Sequence, residues 1–198
     1  MTVVPRSFYR RDSREVAPEL LNKVLVHGSR AGRIVEVEAY CGAEDPGSHT
    51  YRGKTARNAT MFGPPGGLYV YFTYGMHWCA NAVCGVDGEG VAVLLRALAP
   101  LRGVDEMRAR RPAARRDRDL TSGPARLCQA LGIDGTFDGA DLVTADREVT
   151  IVDDGVPPPV DPLVSTRIGL SAGADLEWRW SVAGDPHVSR RPSRPRRP

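Results

Sequence analysis

The 198-residue chain carries 27 Lys and Arg against 24 Asp and Glu, a formal net charge of +3. At this length one core buries about 70% of the surface an unfolded chain exposes, and there is too little chain for two ordinary domains. Four cysteines, at 41, 79, 84 and 128, form no C-x-x-C pair, which excludes a disulfide framework and leaves reduced thiols as the expectation. No apolar run approaches the ~18 residues of a membrane span, and the N-terminal arginines are not followed by an apolar core, so a cytoplasmic, membrane-free protein is expected, nucleoid-associated if the source is bacterial.

The charge is unevenly placed. Arg10, Arg11 and Arg14 sit near one end, and Arg190, Arg191, Arg194, Arg196 and Arg197 at the other. Lys23 and Lys54 are the only lysines, so 27 less 2 leaves 25 arginines, whose planar, permanently charged forks suit phosphate oxygens. A polyanionic partner is compatible with this pattern.

Residues 1 to 22 read as an arm entering a short helix, with Asp12 or Ser13 as its cap. Lys23 to His27 and Arg33 to Ala39 are β-branched runs separated by a small-residue loop at 28–32, the pattern of a hairpin. From Cys41 to Gly67 there is no period, only Gly, Pro, Asp, Asn and Ser with embedded aromatics, and loops of this length in small domains are usually functional or disordered. Leu68 to Thr73 and Trp78 to Cys84 read as strands joined through residues 74–77, and Val91 to Leu98 as a further apolar strand. Gly103 to Arg111 is helical in pattern. Thr121-Ser122-Gly123-Pro124 opens a helix that Gly132 stops. A final strand is expected around Glu177 to Val182, within one α+β domain (residues 1–188) built on a curved, mainly antiparallel sheet with peripheral helices. The Arg/Pro-rich residues 189–198 are expected to be a disordered basic tail.

Three places in this pattern carry chemistry. In a regular strand Ile34, Glu36, Glu38 and Tyr40 share one face and Val35, Val37 and Ala39 the other, so two carboxylates and a phenol line one side, either as a solvated face or as a site. Arg96 closes the apolar run Val91-Ala92-Val93-Leu94-Leu95, and its charge needs a partner, for which Glu36 or Glu38 is the obvious candidate. Asn81 makes a similar demand from inside an apolar strand. Tyr69 and Tyr71 share a strand face, while Tyr74 stands at the hairpin tip, as a packing residue or as a wedge entering a base stack. The arginines 102, 108, 110, 111, 115, 116 and 118 precede a helix start at Ser122-Gly123-Pro124, where unpaired N–H groups and positive charge both favour phosphate. His77, Cys79 and Cys84 lack a second ligand pair, and no metal is expected.

Taken in order, Gly32-Arg33-Ile34-Val35-Glu36-Val37-Glu38-Ala39-Tyr40, Glu44-Asp45, His49, Thr55-Ala56-Arg57-Asn58, Met61-Phe62, Leu68-Tyr69-Val70-Tyr71 with Tyr74-Gly75-Met76, Val93 to Leu98 and Ser122-Gly123-Pro124 with Leu127 to Leu131 resemble the alkyladenine (3-methyladenine) DNA glycosylase family over roughly residues 8 to 189. The resemblance implies a single α+β domain, no cofactor, and a monomer that acts on duplex DNA containing damaged purines. It implies further that Glu38 is the general base and Arg96 its partner, that Tyr40, Gly47, His49, Tyr71 and Asn81 form the base pocket, and that Tyr74 with Met76 is the DNA wedge. Arg57, Arg108, Arg110, Arg111, Ser122 and Gly123 fall to phosphate contacts. His77 departs from the family pattern, in which an aromatic commonly follows the Gly-Met pair. Two other classes fit parts of the sequence: a non-catalytic binder of distorted DNA, which has no need of Glu38 beside Arg96, and an RNA-binding protein, for which no recognisable signature is present.

Overall fold

The computed structural model describes residues 1–73 and 75–189. The period-two runs build one antiparallel sheet: β1 (Thr2–Val3), β2 (Val24–His27), β3 (Arg30–Cys41), β4 (Gly67–Thr73), β5 (His77–Cys84), β6 (Val91–Arg102), β7 (Ala140–Asp141), β8 (Val149–Asp153), β9 (Leu163–Ser165) and β10 (Arg179–Ser181). Their order is β1-β8-β2-β3-β6-β5-β4-β7. The sheet forks at β3, whose first half pairs β2 and whose second half pairs β10, with β9 beyond it. The protein is thus an α+β domain on a curved antiparallel sheet, with helices α1 (Arg6–Tyr9), α2 (Ser13–Leu20), α3 (Val104–Arg110), α4 (Arg118–Thr121) and α5 (Pro124–Leu131) around it.

Alternation along the central strands separates the two faces. Leu68, Val70, Ala80, Ala82, Cys84, Val93 and Leu95 point to the main core, where Val16, Ala17 and Leu20 of α2 and Leu127, Cys128, Ala130 and Leu131 of α5 meet them. Tyr69, Val83 and Ala92 take the opposite parity and pack with Met61 in a smaller cluster. Asp12 caps α2, its carboxylate accepting the Arg14 N–H at 2.7 Å. All four cysteines are buried and free, and among the described residues no helix is long and apolar enough to cross a membrane.

The structure corrects several expectations. Ile34 does not share a face with Glu36: it packs in the main core with Val37 and Ala39. The register explains this, since Ile34 pairs Leu98 but Glu36 pairs Ala97, so Val35 is the extra residue of a β-bulge and the parity flips across it. A second irregularity follows at once, because Val37 pairs Leu95 and Arg96 is left between ladder partners. The first hairpin turns over Gly28 and Ser29 alone, not over 28–32. The Val91 strand runs on to Arg102, and β8 adds a strand at the Val-Thr-Ile-Val run 149–152 that was not expected. Helix α5 stops at Gly132 in the left-handed conformation (φ 74°), as expected, but no side chain caps its start. The Ser122 hydroxyl is instead hydrogen-bonded by Arg126 at 3.2 Å. Ser189, assigned to the tail, is buried. The rest of the tail lies outside the described residues.

Candidate active site

The bulged pair β3/β6 brings Glu36, Glu38 and Arg96 together on the face away from the helices, and β10 adds Arg179, a residue that sequence reasoning missed. Glu36 and Glu38 are wholly buried, Arg96 and Arg179 nearly so. Two carboxylates therefore meet two guanidiniums, and the cluster is neutral as a whole, the condition under which buried charges are tolerable. Arg96 serves both acids: its Nε donates to Glu36 Oε1 at 2.8 Å and its Nη1 lies 3.1 Å from Glu38 Oε1. Burial works against the Arg96 charge, but Glu38 and Glu36 outweigh it and raise the guanidinium above its ordinary pKa.

The two carboxylates differ in how completely they are occupied. Glu36 accepts four hydrogen bonds, from Arg96 Nε, from Arg179 Nε at 2.7 Å, from the Ser189 N–H at 2.6 Å and from the Ser189 hydroxyl at 2.8 Å. Three of these donors crowd Oε1, and the Ser189 N–H alone reaches Oε2. Glu38 accepts two, the Ile168 N–H on Oε1 at 2.8 Å and the Tyr40 hydroxyl on Oε2 at 3.0 Å, besides its ion pair with Arg96. Among the described residues Oε2 of each acid has one donor, the Tyr40 hydroxyl for Glu38 and the Ser189 N–H for Glu36. Burial, with the Glu38 charge adding to it, raises the Tyr40 pKa well above its ordinary value, so the phenol keeps its proton and donates it.

Tyr40 joins this centre to a slot of about 60 Å³ that it lines with Gly47, His49, Tyr71 and Asn81, as the resemblance implies, with Tyr69, and with Ser48, Met61 and Leu170, which were not singled out. Tyr69 and Tyr71 stack at 5.4 Å between centroids, and His49 stands edge-on to Tyr71 at 4.5 Å. Burial, reinforced by the Arg57 charge, lowers the His49 pKa below its ordinary value, so the slot holds a neutral imidazole. Burial likewise raises the Tyr71 phenol, with Cys79 contributing next. Asn81 is anchored through its amide N–H₂ on the Tyr69 carbonyl at 3.2 Å.

The aperiodic stretch after Cys41 is held by a buried ion pair that was not anticipated. Arg167 grips Asp45 through two nitrogens at 2.5 and 2.7 Å, both side chains fully buried, and its guanidinium lies 4.7 Å over the Tyr40 ring. Asp45 in turn accepts the Gly47 N–H at 2.9 Å, which sets the loop against the slot. Glycine is required at 47 by close approach: a Cβ there would stand 2.8 Å from Leu170 Cδ1 and 2.9 Å from Arg167 Nη2.

Other expected residues lie outside the slot. Tyr74 lies outside the described residues. Met76, beside it at the hairpin tip, is 69% exposed, far beyond what an ordinary packing methionine shows. Arg57 is hydrogen-bonded to the Phe72 carbonyl at 2.9 Å, at the flank of the same hairpin. Arg110 lines a separate groove with Met76, His77 and Trp78. Arg108 is paired with Asp117 at the surface, and Arg111 with Gln129 at 2.7 Å and the Asp119 carbonyl at 3.3 Å. Ser122 and Gly123 sit at the start of α5 with no contact to the slot. Among the described residues no group of His, Cys, Asp or Glu is arranged to hold a metal.

Comparison with known proteins adds to this geometry. The family described as "Methylpurine-DNA glycosylase (MPG)" matches residues 7–186. A protein of Burkholderia cenocepacia (strain HI2424) is 64% identical over 189 residues, covering 95% of this chain and 91% of that one. One from Streptomyces avermitilis is 46% identical over 194 residues, covering 95% and 91%, and one from Carboxydothermus hydrogenoformans is 46% identical over 194 residues, covering 96% and 100%. Each is named "Putative 3-methyladenine DNA glycosylase". The class is therefore that of DNA glycosylases, hydrolases of N-glycosyl bonds that serve DNA repair. Within it, the chain belongs to the methylpurine-DNA glycosylase family.

Proposed function

We propose that the protein flips alkylated or deaminated purines, 3-methyladenine among them, out of duplex DNA and hydrolyses their N-glycosidic bond with a water activated by Glu38. The observation that carries this reading is the contrast between the two acids: Glu36 is held by four donors, none of which lines the slot, whereas Glu38 has fewer and is joined by the Tyr40 hydroxyl to the slot that Tyr40 lines. Extruding a base costs a few kcal/mol, least for a damaged and poorly paired one, so selection begins before the pocket is reached. An alkylated purine is cationic, and the aromatic walls of Tyr40 and Tyr71 add a cation–π attraction that a neutral base lacks. The neutral His49 adds no opposing charge.

As the bond to the base lengthens, positive charge grows on the sugar. An ionised Glu38 stabilises that charge and takes a proton from the attacking water, while Arg96 holds the carboxylate in place. Asn81, fixed on the Tyr69 carbonyl, crowds the position where guanine carries its exocyclic amine. No residue of the chain needs a cofactor for these steps. Exposed Met76, with its neighbour Tyr74, supplies the wedge that fills the vacated stack, and Arg57 and Arg110 the nearest phosphate contacts. The protein acts as a monomer on damaged duplex DNA.

The test is release of damaged bases from duplexes that each carry one lesion, 3-methyladenine, 7-methylguanine, hypoxanthine or ethenoadenine, with the resulting abasic sites cleaved by alkali. Release from at least one lesion and none from undamaged duplex is expected. Tight lesion binding without release from any duplex would make the protein a non-catalytic binder of distorted DNA.

A further inference from the structure

Every nitrogen of the Arg96 guanidinium has an assigned neighbour. Nε is on Glu36 and Nη1 on Glu38, and Nη2 donates to the Ser189 hydroxyl at 3.4 Å. That hydroxyl donates in turn to Glu36 Oε1 at 2.8 Å, the Ser189 N–H meets Glu36 Oε2 at 2.6 Å, and the Ser189 carbonyl accepts from Arg179 Nη2 at 3.4 Å. A serine next to a run of arginines and prolines thus touches three of the four charged groups of the buried cluster. Its position follows from the chain path: after β10, Val182 still bonds the Val35 carbonyl at 2.9 Å, and the backbone then returns so that Ser189 closes over Glu36.

We infer that Ser189 is a positioning residue for base excision, acting with Glu36 and Arg179 to aim Arg96 at Glu38. This inference rests on the reading of Glu38 as the base. Glu36 and Glu38 both draw on a single guanidinium, whose Nη1 reaches Glu38 while Nε is held by Glu36 and Nη2 by the Ser189 hydroxyl. Without that hydroxyl, Nη2 loses its acceptor in a site closed to solvent, where an unmet donor costs most. Glu36 Oε2, which among the described residues has only the Ser189 N–H, offers it a new one, and a guanidinium that turns toward Glu36 draws Nη1 away from Glu38. Ser189 therefore sets the geometry of the reacting carboxylate without lining the slot.

The test compares Ser189→Ala with Ser189→Thr, which keeps a hydroxyl, on a duplex containing ethenoadenine, whose fluorescence reports extrusion separately from excision. Ser189→Ala is expected to bind and flip as the native protein does, but to excise about tenfold more slowly under single turnover, the effect of about one charge-assisted hydrogen bond. Ser189→Thr is expected to restore most of the rate. Native excision by Ser189→Ala, an equal loss in both variants, or a loss confined to binding and flipping would each overturn the inference. Glu38→Gln in the same assay separates the two levels: if it excises normally the base assignment fails, whereas an inactive Glu38→Gln beside a fully active Ser189→Ala removes only the role of Ser189.

Discussion

The two ends of the site are built on opposite terms. Around Glu36 four donors converge, the guanidiniums are buried, and Ser189 closes the cluster. Around Tyr40 the slot is lined by aromatic faces, a glycine chosen for its thinness and an amide pinned by its neighbour, with space left between them. Glu38 lies where these meet. Burying four charges costs several kcal/mol each before pairing, and well-packed apolar residues of the same volume would be as stable or more so. Such a cluster fixes the orientation of Glu38 while leaving it fewer donors than Glu36. The slot spends its residues differently, on shape and on π-faces that discriminate among flat ligands.

The sharpest way to break the closed end is to remove the group both acids share. Arg96→Leu leaves Glu36 and Glu38 facing each other without their common cation, so a stability loss of about 3–5 kcal/mol is expected, together with a fall in excision of at least ~10²-fold in whatever protein remains folded. Thermal melts beside single-turnover rates would check this. A variant that stays as stable and as active as the native protein would show that Arg179 alone sustains the cluster.

The open end should answer to smaller changes in shape, with stability almost untouched. Asn81→Ser makes room for the exocyclic amine of guanine, so release of undamaged guanine relative to the best substrate is expected to rise several-fold, within the 10- to 200-fold that one group's worth of pocket shape provides. An unchanged ratio would place the discrimination elsewhere in the slot.

The smallest expected effect concerns protonation. The His49 pKa is depressed by burial and by Arg57, so the imidazole is neutral above the ordinary histidine value of about 6.5 and stays neutral for some distance below it. The sign is then fixed: affinity for a cationic lesion should be level from pH 8 down to about 6.5 and weaken only at lower pH, as His49 gains a charge that repels the ligand. His49→Gln should abolish that acid decline. A decline already centred near pH 6.5, and persisting in the variant, would assign it to another group.

How much of this was legible in the sequence varies by region. Glu36, Glu38 and Tyr40 could be placed on one face because strand parity holds from Glu36 onward, and Arg96 stood out as a charge closing an apolar run. Ile34 was misplaced because a bulge at Val35 leaves no mark in the hydrophobic pattern. Arg167 and Ser189 come from the aperiodic stretches after β8, where neither period two nor 3.6 operates and a charged residue reads as solvated, while Arg179 lies in the strand expected at Glu177 to Val182, too short a run to mark a charged residue as buried. Only the demand that two buried carboxylates find two cations hinted at a second arginine. The Val-Thr-Ile-Val run of β8 has strand-forming residues, but only four of them, set between acidic flanks. The slot was reached through motif resemblance, since nothing in the spacing of Gly47 and His49 links them to Tyr71.

The account stands on the division of labour between Glu38 and Glu36, and the most direct measurement is single-turnover excision of ethenoadenine by Glu38→Gln and Glu36→Gln, with extrusion followed by fluorescence and folding by thermal melt. Glu38→Gln should fold, bind and flip the lesion, yet excise it at least ~10²-fold more slowly, because the amide keeps the shape but cannot take a proton. Glu36→Gln should lose mainly stability, through the buried cations it leaves short of charge. Near-native excision by Glu38→Gln, with loss of excision in a folded Glu36→Gln, would contradict the account and give the base to Glu36.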